Sequence, residues 1–425
     1  MNKKLMALAV AGALGAPAAA MAQNYSIYGR ATLGVDTYEA KGSTDLTAAA
    51  NAVPGADYGK RARVFDNGSR VGFRGTEDLG GGVQAVFLIE TGVNIDNGST
   101  TGQDGAANAN TANWGSRVGH VGLAGSLGQI TYGRSNVWWV NGAIEQVGAN
   151  WLNAGAQLYS GGMGRGMSVL VSRVSNVVQY TSPVFSGVNV QVSISPGAGE
   201  AVGPGANADG QLFAVTGQGT HGPIAWGVDY VVNKGNTPAA GGAGQGSNTA
   251  VKLRLGYRYM PAGQISVLSV SNEVKSGGTG NAAGSAVGLP ATCNTAATNC
   301  SFEQTGMGIS WDHMFGPFHP IVQLYQMSDI EGSGCGATIG GAAATGLNGA
   351  PAGQQCEKTS ASQITAALRY ILSKRTHVYF SYNKIDNDAR YNQDFAGASM
   401  TSRVAASRST GADPTIIAVG MIHNF

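Results

Sequence analysis

Residues Ser69–Glu90 read SRVGFRGTEDLGGGVQAVFLIE. In an extended strand, side chains two apart point the same way, so Val71 and Phe73 share one face. Arg70, Gly72, Arg74 and Thr76 share the other. The stretch TEDLGGG then supplies a tight glycine turn. On the return strand Val83, Ala85, Phe87 and Ile89 fall together, with Gln84 and Glu90 opposite. One face of the hairpin is apolar and uncharged; the other carries two arginines and an acid. A soluble sandwich would turn the charged face to water and the apolar face to a core. A membrane barrel would turn the apolar face to lipid and the charged face to a lumen. The hairpin alone is compatible with both.

The remainder of the chain narrows the choice. Met-Asn-Lys-Lys is followed by Leu5–Ala20, almost without polar groups, and then by Ala20-Met21-Ala22, a small-x-small cleavage pattern. This predicts a secretory signal peptide over residues 1–22 and a mature body over 23–425. No later stretch reaches the ~20 apolar residues of a spanning helix. The composition includes 66 Gly and only 12% charged residues, low against a usual value of about 25%. The net charge of +2 suggests neither a nucleic-acid binder nor a binder of acidic substrates. With no linker, charge run or change of pattern along the chain, one all-β body is the economical reading.

Extended segments follow one another from Asn24–Asp36 to Thr415–Phe425. In the first, Ile27, Leu33 and Val35 take one face and Tyr28, Arg30 and Thr32 the other. A long polar loop is predicted from Thr37 to Arg63, and a stretch with little alternation runs from Ser135 to Val171. About sixteen strands result, joined alternately by short turns and long glycine-rich loops, which is the asymmetry of a transmembrane antiparallel β-barrel. Closure also pairs every backbone N–H and C=O without an open edge, as lipid demands. Tyr25, Tyr132, Tyr180, Tyr230, Tyr257, Tyr379 and Phe425 stand near strand ends as candidate interfacial aromatics.

The four cysteines fall into two local pairs, Cys293 with Cys300 and Cys335 with Cys356, each inside a Gly/Ala/Asn/Thr-rich stretch. An exported location favours disulfides. Locality favours these pairings, although sequence does not fix connectivity. No histidine stands at ligand spacing from either pair, so no metal site is expected.

Several pieces together resemble the Gram-negative general-diffusion porins. They are YGRATLG at Tyr28–Gly34, SRVGFRGTEDLGGG at Ser69–Gly82, SRVGHVGLAGSLGQITYGR at Ser116–Arg134 and the terminal GMIHNF at Gly420–Phe425. They lie in order along the whole mature chain. The resemblance implies a sixteen-stranded barrel whose third long loop, here about Ser135 to Arg165, folds into the lumen. It implies a homotrimer in the bacterial outer membrane, reached after export to the periplasm, among lipid and lipopolysaccharide. It also implies recognition of the chain end (Met421, His423, Phe425) by the barrel-assembly machinery, with His423 standing where many members have tyrosine.

By motif, the resemblance places Arg30, Arg70, Arg74, Arg117 and Arg165 on the basic wall of a pore constriction. Alternation independently sets Arg30, Arg70 and Arg74 opposite apolar neighbours. Arg117 is ambiguous, because its parity-mates include Val121 and Leu123. Arg134 resembles an arginine near the loop base and subunit contact. The opposite wall in the family is an acid-rich inserted loop. Here Glu145 is the only acid between Ser135 and Arg165, with Glu90 as a second candidate; Trp138, Trp139, Trp151 and asparagines stand beside it. Such a balance predicts a positive constriction that concentrates anions.

Other motifs carry less. Gly217-Gln-Gly-Thr-His-Gly222 matches G-x-G-x-x-G, but at a strand-to-strand turn with no helix to follow. Neither G-x-S-x-G nor H-E-x-x-H occurs. The reading is therefore a passive channel for small hydrophilic solutes and ions, without catalysis or cofactor. Its rivals are a lipase-like barrel enzyme, a substrate-specific channel, and a secreted β-solenoid, for which no repeat is found.

Overall fold

The computed structural model describes residues 24–43, 57–66, 68–96, 114–137, 173–196, 211–234, 247–259, 262–275, 301–336, 356–391, 393, 395 and 411–425. The expectations for the signal peptide, for Trp138, Trp139, Glu145, Trp151 and Arg165, and for the Cys293–Cys300 pair lie outside the described residues.

Among the described residues, seventeen strand segments form one antiparallel sheet. They are β1 (Ser26–Lys41), β2 (Tyr58–Asp66), β3 (Arg70–Gly80), β4 (Val83–Gly92), β5 (Val118–Gly125), β6 (Gly128–Asn136), β7 (Arg173–Thr181), β8 (Val188–Ser195) and β9 (Gln211–His221). There follow β10 (Ile224–Lys234), β11 (Ser247–Tyr259), β12 (Gly263–Lys275), β13 (Ser301–His313), β14 (Phe318–Met327), β15 (Ala361–Ile371), β16 (Thr376–Asn387) and β17 (Asp413–Asn424). β2 and β3 lie end to end on β1, β2 along its Leu33–Ala40 half and β3 along Ser26–Arg30. They make one stave, with β2 ending at Asp66 and β3 beginning at Arg70, so the barrel has sixteen staves. β17 returns to β1 from Arg30↔Asn424 to Lys41↔Asp413, and this pairing closes the ring. Phe425 exchanges both backbone hydrogen bonds with Gly29 at 3.1 Å, so the chain end is stitched into the seam.

The two faces of the wall separate as alternation requires. Ile27, Leu33, Val35, Ile89, Val121, Leu123, Ile417, Val419 and Met421 are exposed on the outside. Thr32, Asp36, Thr131, Gln179, Gln323, Thr365, Ser381 and Asn383 are buried on the inside. This is the reverse of a soluble core and suits a body whose outer solvent is lipid. Of the aromatics singled out, Tyr25, Tyr132, Tyr180, Tyr230, Tyr257 and Phe425 are exposed on the outer surface. Tyr379 is a correction. It is 4% exposed, and its ring crosses the bare backbone of Gly420, its register partner on β17. Its parity with Ser381 and Asn383 puts it inside, and no interfacial role remains for it.

A second correction concerns the first long loop. β1 continues to Lys41 and β2 begins at Tyr58, so much of Thr37–Arg63 is strand. The extension follows from its inner face, where Tyr38 and Ala40 are buried and Asp36 accepts both 3.0 and 3.1 Å bonds from Arg63 Nε. Asp36 and Arg63 are register partners across β1–β2. A loop-like polar composition is thus carried in a paired ladder.

On the long-loop side, Cys335 and Cys356 form the expected disulfide. It joins positions 21 apart, a closure that contributes about 3 kcal/mol by restricting the unfolded chain. The segments it links continue into a packed layer. Thr359 N–H donates to Asp329, Gln304 donates to the carbonyls of Ser328 and Thr359, and the buried Tyr391 hydroxyl donates to Gln304 at 2.9 Å. Burial raises the Tyr391 hydroxyl well above its ordinary pKa.

Candidate pore constriction

The inner faces of β1, β3 and β4 come together around one carboxylate. Gly72 is the register partner of Glu90, and Arg30 is the partner of Arg70. Because Gly72 has no side chain, the Tyr28 ring lies over its backbone and sends its hydroxyl to Glu90 Oε2 at 3.0 Å. Arg70 Nε stands 3.7 Å from the same oxygen. Arg117 Nε donates to Oε1 at 2.7 Å. Glu90 is therefore held by a phenol and two guanidinium groups from three different staves.

Arg30, beside this group, donates from Nε to the Asn424 side chain at 3.2 Å, across the closing seam. Its electrostatic neighbours are Arg70, Arg117 and Glu90. Arg74 lies beyond Tyr28, with its guanidinium 5.1 Å from the ring centroid and Nε donating to Ser26. Arg74 is the more exposed of the set and makes no ion pair with Glu90 among the described residues. Arg134 donates to the Ser116 carbonyl at 2.9 Å and to Ser175 at 2.8 Å, bracing the stretch before β5 against β7.

Arg117 resolves its own ambiguity by sitting just outside regular strand. It ends the bend 114–117, one residue before β5 begins, and its N–H donates to the Glu90 carbonyl. Strict alternation would have placed it with Val121 and Leu123, which are outside. The bend turns it inward instead.

Sequence reasoning missed Arg173, the first residue of β7. It lies within electrostatic range of Arg117, Glu90, Arg134 and Arg70. Alternation gave no hint of it, because β7 is broken at Asn176, whose φ is 57°. Val174 and Val177 are both buried although three apart. Among the described residues, Arg30, Arg70, Arg117 and Arg173 thus share one inner region with the carboxylate of Glu90. The arrangement is a concentration of fixed positive charge on the inside of a closed barrel.

A family model described as Gram-negative porin matches residues 7–390. The chain belongs to the Gram-negative porin family. It is similar to the major outer membrane protein P.IB of Neisseria gonorrhoeae, 32% identical over 202 residues, which is 46% of this chain and 49% of that protein. An outer membrane porin protein of Bordetella pertussis is 33% identical over 187 residues, 41% of this chain and 45% of the relative. The chain matches about half the length of these curated relatives. Among solved structures, an anion-selective porin from Comamonas acidovorans has a TM-score of 0.63 at 19% identity, covering 95% of this porin and 100% of that chain. OmpT of Vibrio cholerae has a TM-score of 0.57 at 11% identity, with 95% and 98% covered. These structural likenesses concern the fold. Family membership places this porin in the bacterial outer membrane.

Proposed function

We propose that this porin is a passive, anion-preferring diffusion channel for small hydrophilic solutes and ions. The observation that carries the reading is the excess of guanidinium over carboxylate on the inner face around Glu90. Arginine stays ionised at any working pH. A narrow lumen with low-dielectric walls focuses such a field and raises the local concentration of counter-ions. In this reading Arg30, Arg70, Arg117 and Arg173 form the basic wall of the constriction, and Arg74 extends it past Tyr28. Arg165 and Glu145 join it from the inserted loop Ser135–Arg165. The Comamonas porin, which shares the fold and is anion-selective, agrees in kind. Purified protein in a planar bilayer under a KCl gradient is expected to give a reversal potential of the chloride-permeable sign. A potential on the potassium side would reject the anion preference while leaving the channel.

The unit is a homotrimer in this reading, joined through the apolar outer face near both chain ends, where Leu33, Val35, Val64, Phe380, Val419 and Met421 are exposed together. Native mass measurement in mild detergent is expected to return three copies; monomers alone would exclude it. Met421, His423 and Phe425 form the assembly signal read after export of residues 23–425. All three are on the outer face of the closing strand. Deleting Phe425 removes both the terminal aromatic and its paired hydrogen bonds to Gly29. The yield of folded barrel in cells is expected to fall severalfold, and an unchanged yield would rule the signal out.

A further inference from the structure

At the long-loop end of the barrel, the connection after β16 folds back inside the wall. The β15–β16 ladder first runs on past both strands: Asp388 N–H donates to the Ser360 carbonyl and Arg390 N–H to that of Lys358, each at 3.0 Å. The chain then turns in. The Tyr391 hydroxyl donates to Gln304 Oε1 at 2.9 Å, and Gln304 belongs to β13. β14 and β15 lie between β13 and β16 in the ring. The link therefore crosses their inner side, because Gln304 shares parity with the buried Ser310 while Met307 and Ile309 face out. Asn387 holds the next turn in both directions. Its Nδ2 donates to the Gln393 carbonyl, and its Oδ1 accepts from Gln393 N–H, both at 2.9 Å.

The strand sequences explain why the segment stays there. Deeper in the barrel the inner faces of these staves are polar, with Gln323, Thr365, Ser381 and Asn383. At the long-loop end the same parity turns apolar, with Phe302, Met327 and Ile385. An apolar patch left facing lumen water is unfavourable. Ile330, Tyr391 and Phe395 are buried in one cluster with those three. Gln304 has its whole amide engaged, since Nε2 also donates to the carbonyls of Ser328 at 2.8 Å and Thr359 at 3.2 Å. Those two carbonyls belong to the segments that the Cys335–Cys356 disulfide joins.

We propose that residues 388–395, with the disulfide-joined ends of the β14–β15 connection, form a size filter at the mouth, in series with the arginine constriction and separate from it. A layer packed on a sheet stands about 10 Å from it, so the passage at this end loses about that depth on the β13–β16 side. The filter acts on the width of a solute and not on its charge. The proposal rests on the channel reading above and is independent of the anion preference.

The test is swelling of liposomes that carry the purified full chain, in neutral sugars of different size. The quantity read is the rate for the trisaccharide raffinose relative to the pentose arabinose. Tyr391→Ala removes the ring that reaches across β14 and β15. Cys335→Ser with Cys356→Ser removes the staple. In each variant the ratio is expected to rise severalfold, while the reversal potential in a KCl gradient stays that of the unmodified channel. A barrel that is merely loosened leaks both sugars and leaves no such contrast with the potential. If Tyr391→Ala does not fold, the serine variant decides alone. A ratio that does not move overturns the proposal, and so does a reversal potential that moves while the ratio does not. If the unmodified channel passes neither sugar, the channel reading fails and the filter with it. If it passes arabinose but prefers potassium, only the anion reading fails, and the sugar ratio still decides the filter.

Discussion

Replacing Arg70 and Arg117 together by serine is expected to lower the chloride-to-potassium permeability ratio about fivefold at low salt, from two unit charges acting across lumen water at several ångströms. Two effects add. The first is the loss of two of the four guanidinium groups around Glu90 among the described residues. The second is the release of Glu90 itself, which now has Arg117 at 2.7 Å and Arg70 at 3.7 Å. Without them its carboxylate keeps the Tyr28 hydroxyl and presents its charge to the lumen. Glu90→Gln should move the ratio the other way, because it removes an acid and leaves the arginines. The double serine variant should lose most of its effect in 1 M salt, where the Debye length shrinks to about 3 Å. Lys374→Ser, in the short turn between β15 and β16, is the control and should leave the ratio alone. Reversal potentials in graded KCl read all of these. An unaltered ratio in the double variant would mean that ions pass elsewhere.

The faces of that site were legible wherever the strand was regular. Alternation alone set Arg30, Arg70 and Arg74 opposite Ile27, Val71 and Phe73, because period two survives any register that keeps the apolar face in lipid. It was silent on the two arginines that stand at irregular backbone. Arg117 is turned inward by the bend before β5, and Arg173 precedes the break at Asn176. The break at Asn176 has no composition cue as strong as a glycine turn, whereas the bend before β5 does hold one, Gly115 with φ 74°. Tyr379 failed for a different reason. Nearness to a strand end suggested an interfacial aromatic, but parity with Ser381 and the bare backbone of Gly420 admit its ring inside. The ion pairing of Asp229 on β10 with Lys252 and Arg254 on β11 was likewise invisible, since the acid meets the two cations only through the β10–β11 register. Polarity misled at Thr37–Arg63 as well. Asp, Glu, Lys and Arg in a run read as loop, whereas here Asp36 and Arg63 neutralise one another inside a ladder.

That last pair carries the largest expected change in stability. Asp36→Leu should destabilise the barrel by about 3–5 kcal/mol, because it leaves a buried guanidinium without its acid. The Asp36 side chain is fully buried and that of Arg63 is 2% exposed, so water does not replace the lost partner. Arg63 would retain the face of Phe65, 5.7 Å from its ring centroid, an attraction of about 1 kcal/mol that does not compensate. Removing both charges, as Asp36→Leu with Arg63→Met, should recover most of the loss, since apolar replacements of a whole buried pair are often close to neutral. Unfolding in guanidinium chloride, followed on purified barrel in detergent, measures the cycle. The damage should be local first: the β1–β2 ladder from Leu33 to Ala40 loses its inner anchor, whereas the β1–β17 seam keeps its own twelve register pairs. Trypsin should then cut after Arg61 faster in the single variant than in the double. If the single and double variants unfold at the same denaturant concentration, the charges do not hold the extension. Tyr38 and Ala40 must then do so by packing alone.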